Sequence, residues 1–574
     1  MIPSWLIDLE DKFNAKVRES KMVTRSSRSR EGEISVSNMQ VILEIKFDLE
    51  VLDRLHNPAF VIIERKTSNN IKYLVYEVTA PKPIHYQMLG MDVSMPTVLR
   101  KEYLDIINDS WEESNETWID IVTVPTNYEL IIDDNIRFER TNLIPLIGAS
   151  AYLLSSKAVE KFLCIDDGIA IGDLIGFNIP LKVDISNMIR YHTGIFGFTG
   201  VGKSNLTSSL LRNAIKTVPD LHTIIFDISG EYIIHLLDML DKAVICSTER
   251  FEDPDTLLTS QTIPETLEDK LGYDTFKRKI QAFFDHSTPY EINLTSSFDI
   301  NIQSILDMLK HELAEKGSIQ AKLALQEFNQ LISNGIDARK DLRELSDDEK
   351  QDVISLLERF YESLHIKSGL RNQLDVLFEY INSKPREQAN DNLITPEGIA
   401  RMINFNAPRL TIAYIPEPDQ AREVVSRFIN SLLRLRKRSN ARDKVLVILD
   451  EAQEFIPDRR SIKDYSEQSN LAVEGLLRQG RKYRVHCWLS TQRLAHLNVN
   501  ALQQLHSYFI STMPRSYDRF VIADAFSLSY DILDKTTELS TGEWLFVSYK
   551  ATKQKNVPAF IKAYNNEEIL LNSI

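Results

Sequence analysis

Gly197-Phe198-Thr199-Gly200-Val201-Gly202-Lys203-Ser204 fits G-x-x-x-x-G-K-[ST], the pattern of a phosphate-binding loop. The run before it, Thr193-Gly-Ile-Phe196, is short and apolar, as a buried strand is. The run after it, residues 205–214, is patterned as a helix. Strand, loop and helix in that order turn a pattern into a site. The glycines Gly197, Gly200 and Gly202 let the backbone curl, so that N–H groups across Thr199, Val201 and Asn205 converge on one phosphate. The helix N-terminus adds its partial positive charge. Lys203 is placed to reach the β- and γ-phosphates of ATP, and Ser204 to hold Mg²⁺.

A second motif lies far downstream. Val445-Leu-Val-Ile-Leu-Asp-Glu451 is an unbroken aliphatic run that ends in two acids. Carboxylates emerging from a sheet interior are costly to bury without a cation. Asp450 therefore reads as a Mg²⁺ ligand, direct or through water, and Glu451 as the group that polarises an attacking water. Between the two motifs, Thr223-Ile-Ile-Phe-Asp227 is another strand, followed by Ile228-Ser-Gly-Glu231. It brings Asp227 and Glu231 to the carboxyl edge, where open α/β sheets bind ligands. Spacing alone leaves two readings open: a pair of nucleotide-site acids, or a turn cap by Asp227 with a surface Glu231. The strand Val485-His-Cys-Trp-Leu489 leads to Gln492, whose amide suits a γ-phosphate or a water. Arg478 and Arg481 precede that strand. They are either surface arginines at a helix end or cations offered to a neighbouring subunit's phosphates.

The flanks differ in character. Residues 39–46, 59–64, 71–78, 118–124 and 128–133 are rich in β-branched and aromatic residues with turn clusters between them, which predicts a small barrel over residues 1–180. The basic run at Arg25, Arg28 and Arg30, set among serines, reads as a mobile solvated arm. Residues 172–184 read as a connector with one strand, and His192 as structural. Residues 251–399 carry helical periodicity and no chemistry, as in an inserted helical subdomain. The sheet resumes over 400–574, so the α/β core is 181–250 with 400–574.

Composition limits function. The chain has 574 residues and a net charge of −15, against a surface that binds nucleic acid everywhere but compatible with a local basic channel. The candidate channel loop is Pro457-Asp-Arg-Arg-Ser-Ile-Lys463, with Arg459 and Arg460, and the next candidate is Arg436-Lys-Arg438. Cys164, Cys246 and Cys487 lack metal spacing and suit a reducing cytosol. No apolar run approaches the ~20 residues of a membrane span, so the expectation is a cytoplasmic protein with no membrane partner.

Taken together, the ordered motifs resemble a known family. His192-Thr-Gly-Ile-Phe196 runs into the P-loop and Asn205. Phe226-Asp-Ile-Ser-Gly-Glu-Tyr232, Leu449-Asp-Glu-Ala452, Gly480-Arg-Lys482 and Ser490-Thr-Gln-Arg493 follow in that order. This order is similar to the HerA branch of the FtsK/HerA P-loop ATPases across the whole chain. The resemblance implies an α/β RecA-like core with a central sheet, an N-terminal HAS-like β-barrel and a helical insertion. It implies a homo-oligomeric, usually hexameric ring that hydrolyses ATP with Mg²⁺ and moves double-stranded DNA through its channel. A partner nuclease or other effector would dock on the barrel face. It also implies that Glu451 is the catalytic acid, that Gln492 senses the γ-phosphate, and that Arg478 or Arg481 acts across the subunit interface. The chain departs from the family pattern at Ile228 and Ser229, and at Gln453. A second function class is an ATPase scaffold that assembles and activates a partner enzyme, for example in defence against phage, with DNA movement secondary. A monomeric metabolic kinase fits poorly, since it has no use for Arg478, Arg481 and the insertion.

Overall fold

The computed structural model describes residues 2–29, 32–68, 70–89, 95–111, 116–133, 135–294, 301–316, 318–333, 335–338, 340, 342–364, 371, 374–375, 377–378, 381, 392–405, 408–439, 441–457 and 464–574. They form two compact units, Met1–Pro289 with Pro396–Ile574, and Tyr290–Thr395.

The N-terminal part of the first unit is built from β1 (Ile7–Asp8), β2 (Ala15–Ser29), β3 (Gly32–Lys46), β4 (Phe60–Lys66), β5 (Ile71–His85), β6 (Thr117–Ile132), β7 (Ile136–Arg140) and β8 (Ser150–Leu154). The antiparallel path β8-β2-β3-β6-β5-β4 returns to β8 and so closes into a barrel. The two-residue period of a strand sorts its side chains. On β4, Val61 and Ile63 fill the barrel, while Phe60 and Ile62 join the core shared with the rest of the unit.

Two sequence readings change here. The region of Arg25 and Arg28 is not a mobile arm but part of the long β2–β3 hairpin. Arg25 Nη2 lies 2.5 Å from Asp531 Oδ1, whose other oxygen accepts from Gln40 Nε2 at 2.7 Å. Alternating small polar residues had disguised a strand whose backbone pairing, not side-chain burial, sustains it. Residues 118–124 and 128–133 are one strand, with Asn127 at φ 61° absorbing a register shift. Arg30 and the channel-loop residues Arg459 and Arg460 lie outside the described residues.

The core sheet runs from β9 (Ile169–Leu174) and β10 (Ile179–Val183) through β11 (Thr193–Phe196), β12 (Leu221–Asp227) and β13 (Ala243–Ser247). After the second unit, which carries the short pair β14 (Tyr290–Ile292) and β15 (Leu393–Ile394), it continues with β16 (Leu410–Tyr414), β17 (Lys444–Leu449), β18 (Val485–Thr491), β19 (Ser507–Ile510), β20 (Glu543–Ser548) and β21 (Ala559–Ala563). The spatial order is β10-β9-β21-β20-β19-β11-β18-β17-β12-β16-β13. From β19 to β13 the strands are parallel. Every residue of β11, β16, β18 and β19 is buried, as both-face coverage by helices requires. The connector at 172–184 is therefore a hairpin, β9–β10, that extends the antiparallel edge of this sheet.

Helices Pro254–Thr259, Glu265–Leu271 and Tyr273–Phe284 belong to the first unit, seating Leu257, Leu267, Phe276 and Ile280 in its core. The compact inserted unit is thus shorter than the 251–399 read from periodicity. Its helices Ile302–Lys316, Ile319–Ser333 and Asp347–Ser363 pack Leu309, Phe328 and Leu357 in a separate core. At the basic end of helix Pro418–Arg438, Lys437 and Arg438 are exposed but Arg436 is not. Arg436 is buried, with Nη2 2.7 Å from Asp443 Oδ2, which removes it as a candidate phosphate contact.

Candidate nucleotide site

Four neighbouring strands carry the site to one edge. Phe196 pairs with Thr491, Leu489 with Leu449, and Phe226 with Leu449. Parallel strands in this register release their next residues at one end of the sheet: Gly197, Gln492, Asp450 and, as the last residue of its strand, Asp227. Open parallel sheets bind ligands at that end.

After β11 the chain curls through Gly200 at φ 83° and Gly202 at φ 94°. A Cβ at Gly200 would meet nothing within 4 Å, so backbone conformation rather than space requires glycine there. The loop opens into helix Lys203–Thr217, whose first turn has no side-chain cap. Its orphan N–H groups are those a phosphate satisfies. Lys203 is buried, its Nζ 3.5 Å from the Phe198 carbonyl inside the loop. The Ser204 hydroxyl donates to Glu231.

The acids are held differently. Asp450 accepts from the Ser229 hydroxyl at 2.9 Å and from the Tyr232 hydroxyl at 3.5 Å. Burial, reinforced by the charges of Asp227 and Glu451, pushes its carboxyl up to about 7. Asp227 is wholly buried, and burial pushes it up to about 6 against the opposing backbone N–H groups. Its two oxygens accept from Gly230 N at 2.8 Å and Tyr232 N at 3.0 Å. This corrects its assignment as a nucleotide contact: Asp227 caps the turn, and its oxygens are engaged by that turn's own backbone. Glu231 does reach the cleft.

Glu451 sits in the left-handed region, φ 50° and ψ 51°. Its Oε1 accepts from Gln492 Nε2 at 2.5 Å, and its Oε2 from Gln453 Nε2 at 2.7 Å. Gln453 Oε1 in turn accepts from the Thr491 hydroxyl at 2.5 Å, and the Thr199 hydroxyl of the P-loop donates to Gln492. One hydrogen-bonded chain therefore joins the P-loop, the end of β18 and the acid after β17. The two departures from the family pattern fall on this constellation, Ser229 on Asp450 and Gln453 on Glu451.

The cleft that collects these groups measures about 900 Å³. Thr199, Gly200, Gly202, Lys203, Ser204, Asn205, Glu231, Asp450, Glu451 and Gln492 line it, and Gly197 and Val201 of the same loop do not. Sequence reasoning missed its other wall, Lys562, Tyr564, Asn565 and Glu567, which has no motif. It also passed over Arg493, which lines a smaller adjoining hollow with Thr199 and Gln492. Arg478 and Arg481 are not brought to this cleft. Both are exposed and precede β18, at the opposite end of that strand from Gln492, a separation of roughly 20 Å at strand rise. Arg478 pairs with Glu474 at 3.1 Å, and the Arg481 guanidinium stands 5.2 Å from the Tyr191 ring centroid.

A parallel sheet, a glycine-rich loop opening into a helix, and a strand-borne acid pair at the same edge define a nucleotide-binding P-loop ATPase. Residues 169–401 match the family described as "Helicase HerA, central domain". The chain is 23% identical over 474 residues to a "DNA double-strand break repair helicase HerA" of Pyrococcus furiosus, covering 75% of each chain. It is 23% identical over 452 residues to the protein of the same name from Saccharolobus solfataricus, covering 78% of each. Among solved structures it resembles VirB4 of Thermoanaerobacter pseudethanolicus, with TM-score 0.37 and 16% identity over 70% of this chain and 98% of that one. Residues 169–401 thus carry the signature of the HerA central domain, and the chain is similar to HerA-named proteins over about three quarters of its length. Among the described residues, no helix is long and apolar enough to cross a membrane.

Proposed function

We propose that this protein is a ring-forming, cytoplasmic, ATP-dependent translocase that moves duplex DNA and works with a partner nuclease or effector seated on its barrel. The observation that carries the reading is the Thr199–Gln492–Glu451 chain. It links the loop that would hold the phosphates to the acid that would activate water, so that engaging one perturbs the other. The two HerA relatives, named as DNA repair helicases, supply the DNA part of the proposal.

In this reading Lys203 and the N–H groups of the loop bind the β- and γ-phosphates. Glu451 accepts the proton of the attacking water, and Gln492 orients that water or the γ-phosphate. Ser204 and Asp450 would hold Mg²⁺. The residues fit that ion: Asp450 is a buried carboxyl pushed towards protonation by burial and by neighbouring acids, an imbalance a dication reverses. Among the described residues, no three His, Cys, Asp or Glu side chains form a metal cage. A cation held by one or two protein oxygens plus substrate phosphates is the usual Mg²⁺ arrangement. When bound, Mg²⁺ would neutralise charge on the phosphates. Arg478 or Arg481, remote from the cleft of its own chain, would complete a neighbour's site. The barrel of residues 1–180 and the insert of 251–399 are the proposed partner and inter-subunit regions.

The net charge of −15 favours a second reading, an ATPase scaffold that activates a partner enzyme. Duplex DNA binding by the assembled protein, titrated against salt with and without ATP, separates the two. A translocase binds duplex with a steep negative salt slope and hydrolyses ATP faster when DNA is present. ATP hydrolysis indifferent to DNA, with no salt-dependent binding, would leave the scaffold reading.

A further inference from the structure

The wall of the cleft formed by Asp173, Tyr564, Asn565 and Glu567 carries none of the groups assigned above to phosphate chemistry. Sheet order fixes its polarity. The P-loop strand β11 has β18 and β17, bearing Gln492, Asp450 and Glu451, on one flank, and β19, β20, β21 and β9 on the other. A triphosphate with its γ end at Glu451 and Gln492 must extend its nucleoside towards β21 and β9. The wall there presents Asp173, Glu567 and Glu568 beside Lys562, so acids outnumber cations on it. These carboxylates repel phosphate and accept from hydroxyl and amino groups.

This wall is anchored to the phosphate-binding helix. Asn205, the residue after Ser204, donates from Nδ2 to Asn565 Oδ1 at 2.7 Å and accepts at Oδ1 from Asn566 N at 2.8 Å. Two turns further along, Arg212 Nε donates to Asn566 Oδ1 at 2.6 Å. Asn565 also caps helix Asn566–Ser573, so that helix starts at a set position beside the P-loop. Tyr564, half-buried at the entrance, has its backbone N–H 3.3 Å from the Ile171 carbonyl and its hydroxyl 3.5 Å from Asp173 Oδ1. A fixed aromatic ring beside carboxylate acceptors is what a base and a ribose require.

The geometry points to Tyr564 and Glu567 as the nucleoside-recognition wall, Tyr564 as the platform for the base and Glu567 as the acceptor for ribose hydroxyls. This inference rests on the nucleotide reading of the same cleft, and the experiment keeps the two apart. Binding of ATP and of inorganic tripolyphosphate, each with Mg²⁺, is measured by calorimetry on the full chain and on Lys203→Ala, Tyr564→Ala and Tyr564→Phe. Tyr564→Ala weakens ATP about tenfold, the scale of one base–aromatic stack, and leaves tripolyphosphate unchanged. Tyr564→Phe retains ATP affinity, since the ring remains. Lys203→Ala weakens both ligands. Unchanged ATP binding by Tyr564→Ala, or an equal loss of both ligands, overturns the nucleoside wall while the nucleotide site stands. If the wild-type chain binds neither ligand, the nucleotide reading fails and takes the wall with it.

Discussion

Glu451 owes its orientation to two amides, and only one of them was foreseen. Gln492 directly follows a sheet strand at the motif edge, which is legible from sequence. Gln453 stood out only as a departure from the family pattern, and its contact depends on a left-handed backbone at Glu451 that no local pattern announces. Three substitutions separate these roles. Lys203→Ala should abolish hydrolysis and weaken nucleotide binding, because the β/γ-phosphate charge loses its main cation. Glu451→Gln should keep ATP binding and stop turnover, and normal hydrolysis by that variant would assign water activation elsewhere. Gln453→Leu leaves Oε2 of Glu451 without its amide donor and Thr491 without its acceptor. Single-turnover kinetics should show the chemical step slowed roughly tenfold or more with ATP affinity little changed, and Gln453→Glu should not restore it. Equal losses in affinity and rate would make Gln453 a folding contact instead.

At the scale of elements, the short β11 is set by what precedes it. His192 closes the turn after helix Ile185–Arg190 in a left-handed conformation, φ 58°, and its Nδ1 accepts from Cys487 N at 3.0 Å, pinning the start of β11 to β18. Burial, together with the facing His506 and Arg481, holds His192 down at about 4, and His486, 6.3 Å away, is pushed down to about 3. Both therefore fold as neutral rings. The unfolded chain titrates them near 6.5, so it binds more protons than the folded chain between about 6.5 and about 4. Their contribution to stability is complete above 6.5 and is lost as pH falls through that window, by roughly 3 kcal/mol for His192 once pH is below 4. Asp227 and Asp450, held up at about 6 and about 7, act in the opposite sense over the same range, so the readout is the difference in Tm between wild type and a His192 variant from pH 7.5 to pH 5. His192→Asn, which tolerates the left-handed backbone, should be less stable at pH 7.5 but lose less on acidification. Parallel Tm curves for the two proteins would place the acid sensitivity in other groups.

The whole molecule poses the question of the arginines. Arg478 and Arg481 stand at the far end of β18 from the cleft, so a role in hydrolysis requires a second subunit. The proposed ring makes that measurable. Arg481→Ala and Arg478→Ala should each lower ATP hydrolysis sharply in homogeneous rings. Mixing either with Lys203→Ala should recover part of the activity that neither has alone, because some interfaces then pair an intact P-loop with an intact arginine. No recovery in rings shown by mass to be mixed would rule out action in trans. Ion pairing within the chain already narrows the choice: Arg478 is engaged by Glu474 on its own helix, whereas Arg481 faces an aromatic ring. The proposed DNA path is narrowed likewise, since Arg436 is buried on Asp443 and is lost as a channel cation, while Lys437 and Arg438 stay exposed.

Local pattern determined the nucleotide machinery. The P-loop, the aliphatic strand ending in Asp450 and Glu451, and Gln492 after β18 are each set by a few adjacent residues, because strand burial and loop curvature are short-range requirements. One choice that spacing left open was local: Asp227 caps its own turn because the backbone of Gly230 and Tyr232, three and five residues on, folds back onto it. Tertiary structure decided everything that depends on partners distant in the chain. Arg25 became part of a paired hairpin because β3 and Asp531 lie beside it. The wall at Tyr564 and Glu567 faces the P-loop only because β21 and β9 extend the same sheet and Asn205 grips Asn565. Arg25 and Asp531, like Asn205 and Asn565, are hundreds of positions apart, and neither periodicity nor spacing carries information over that distance.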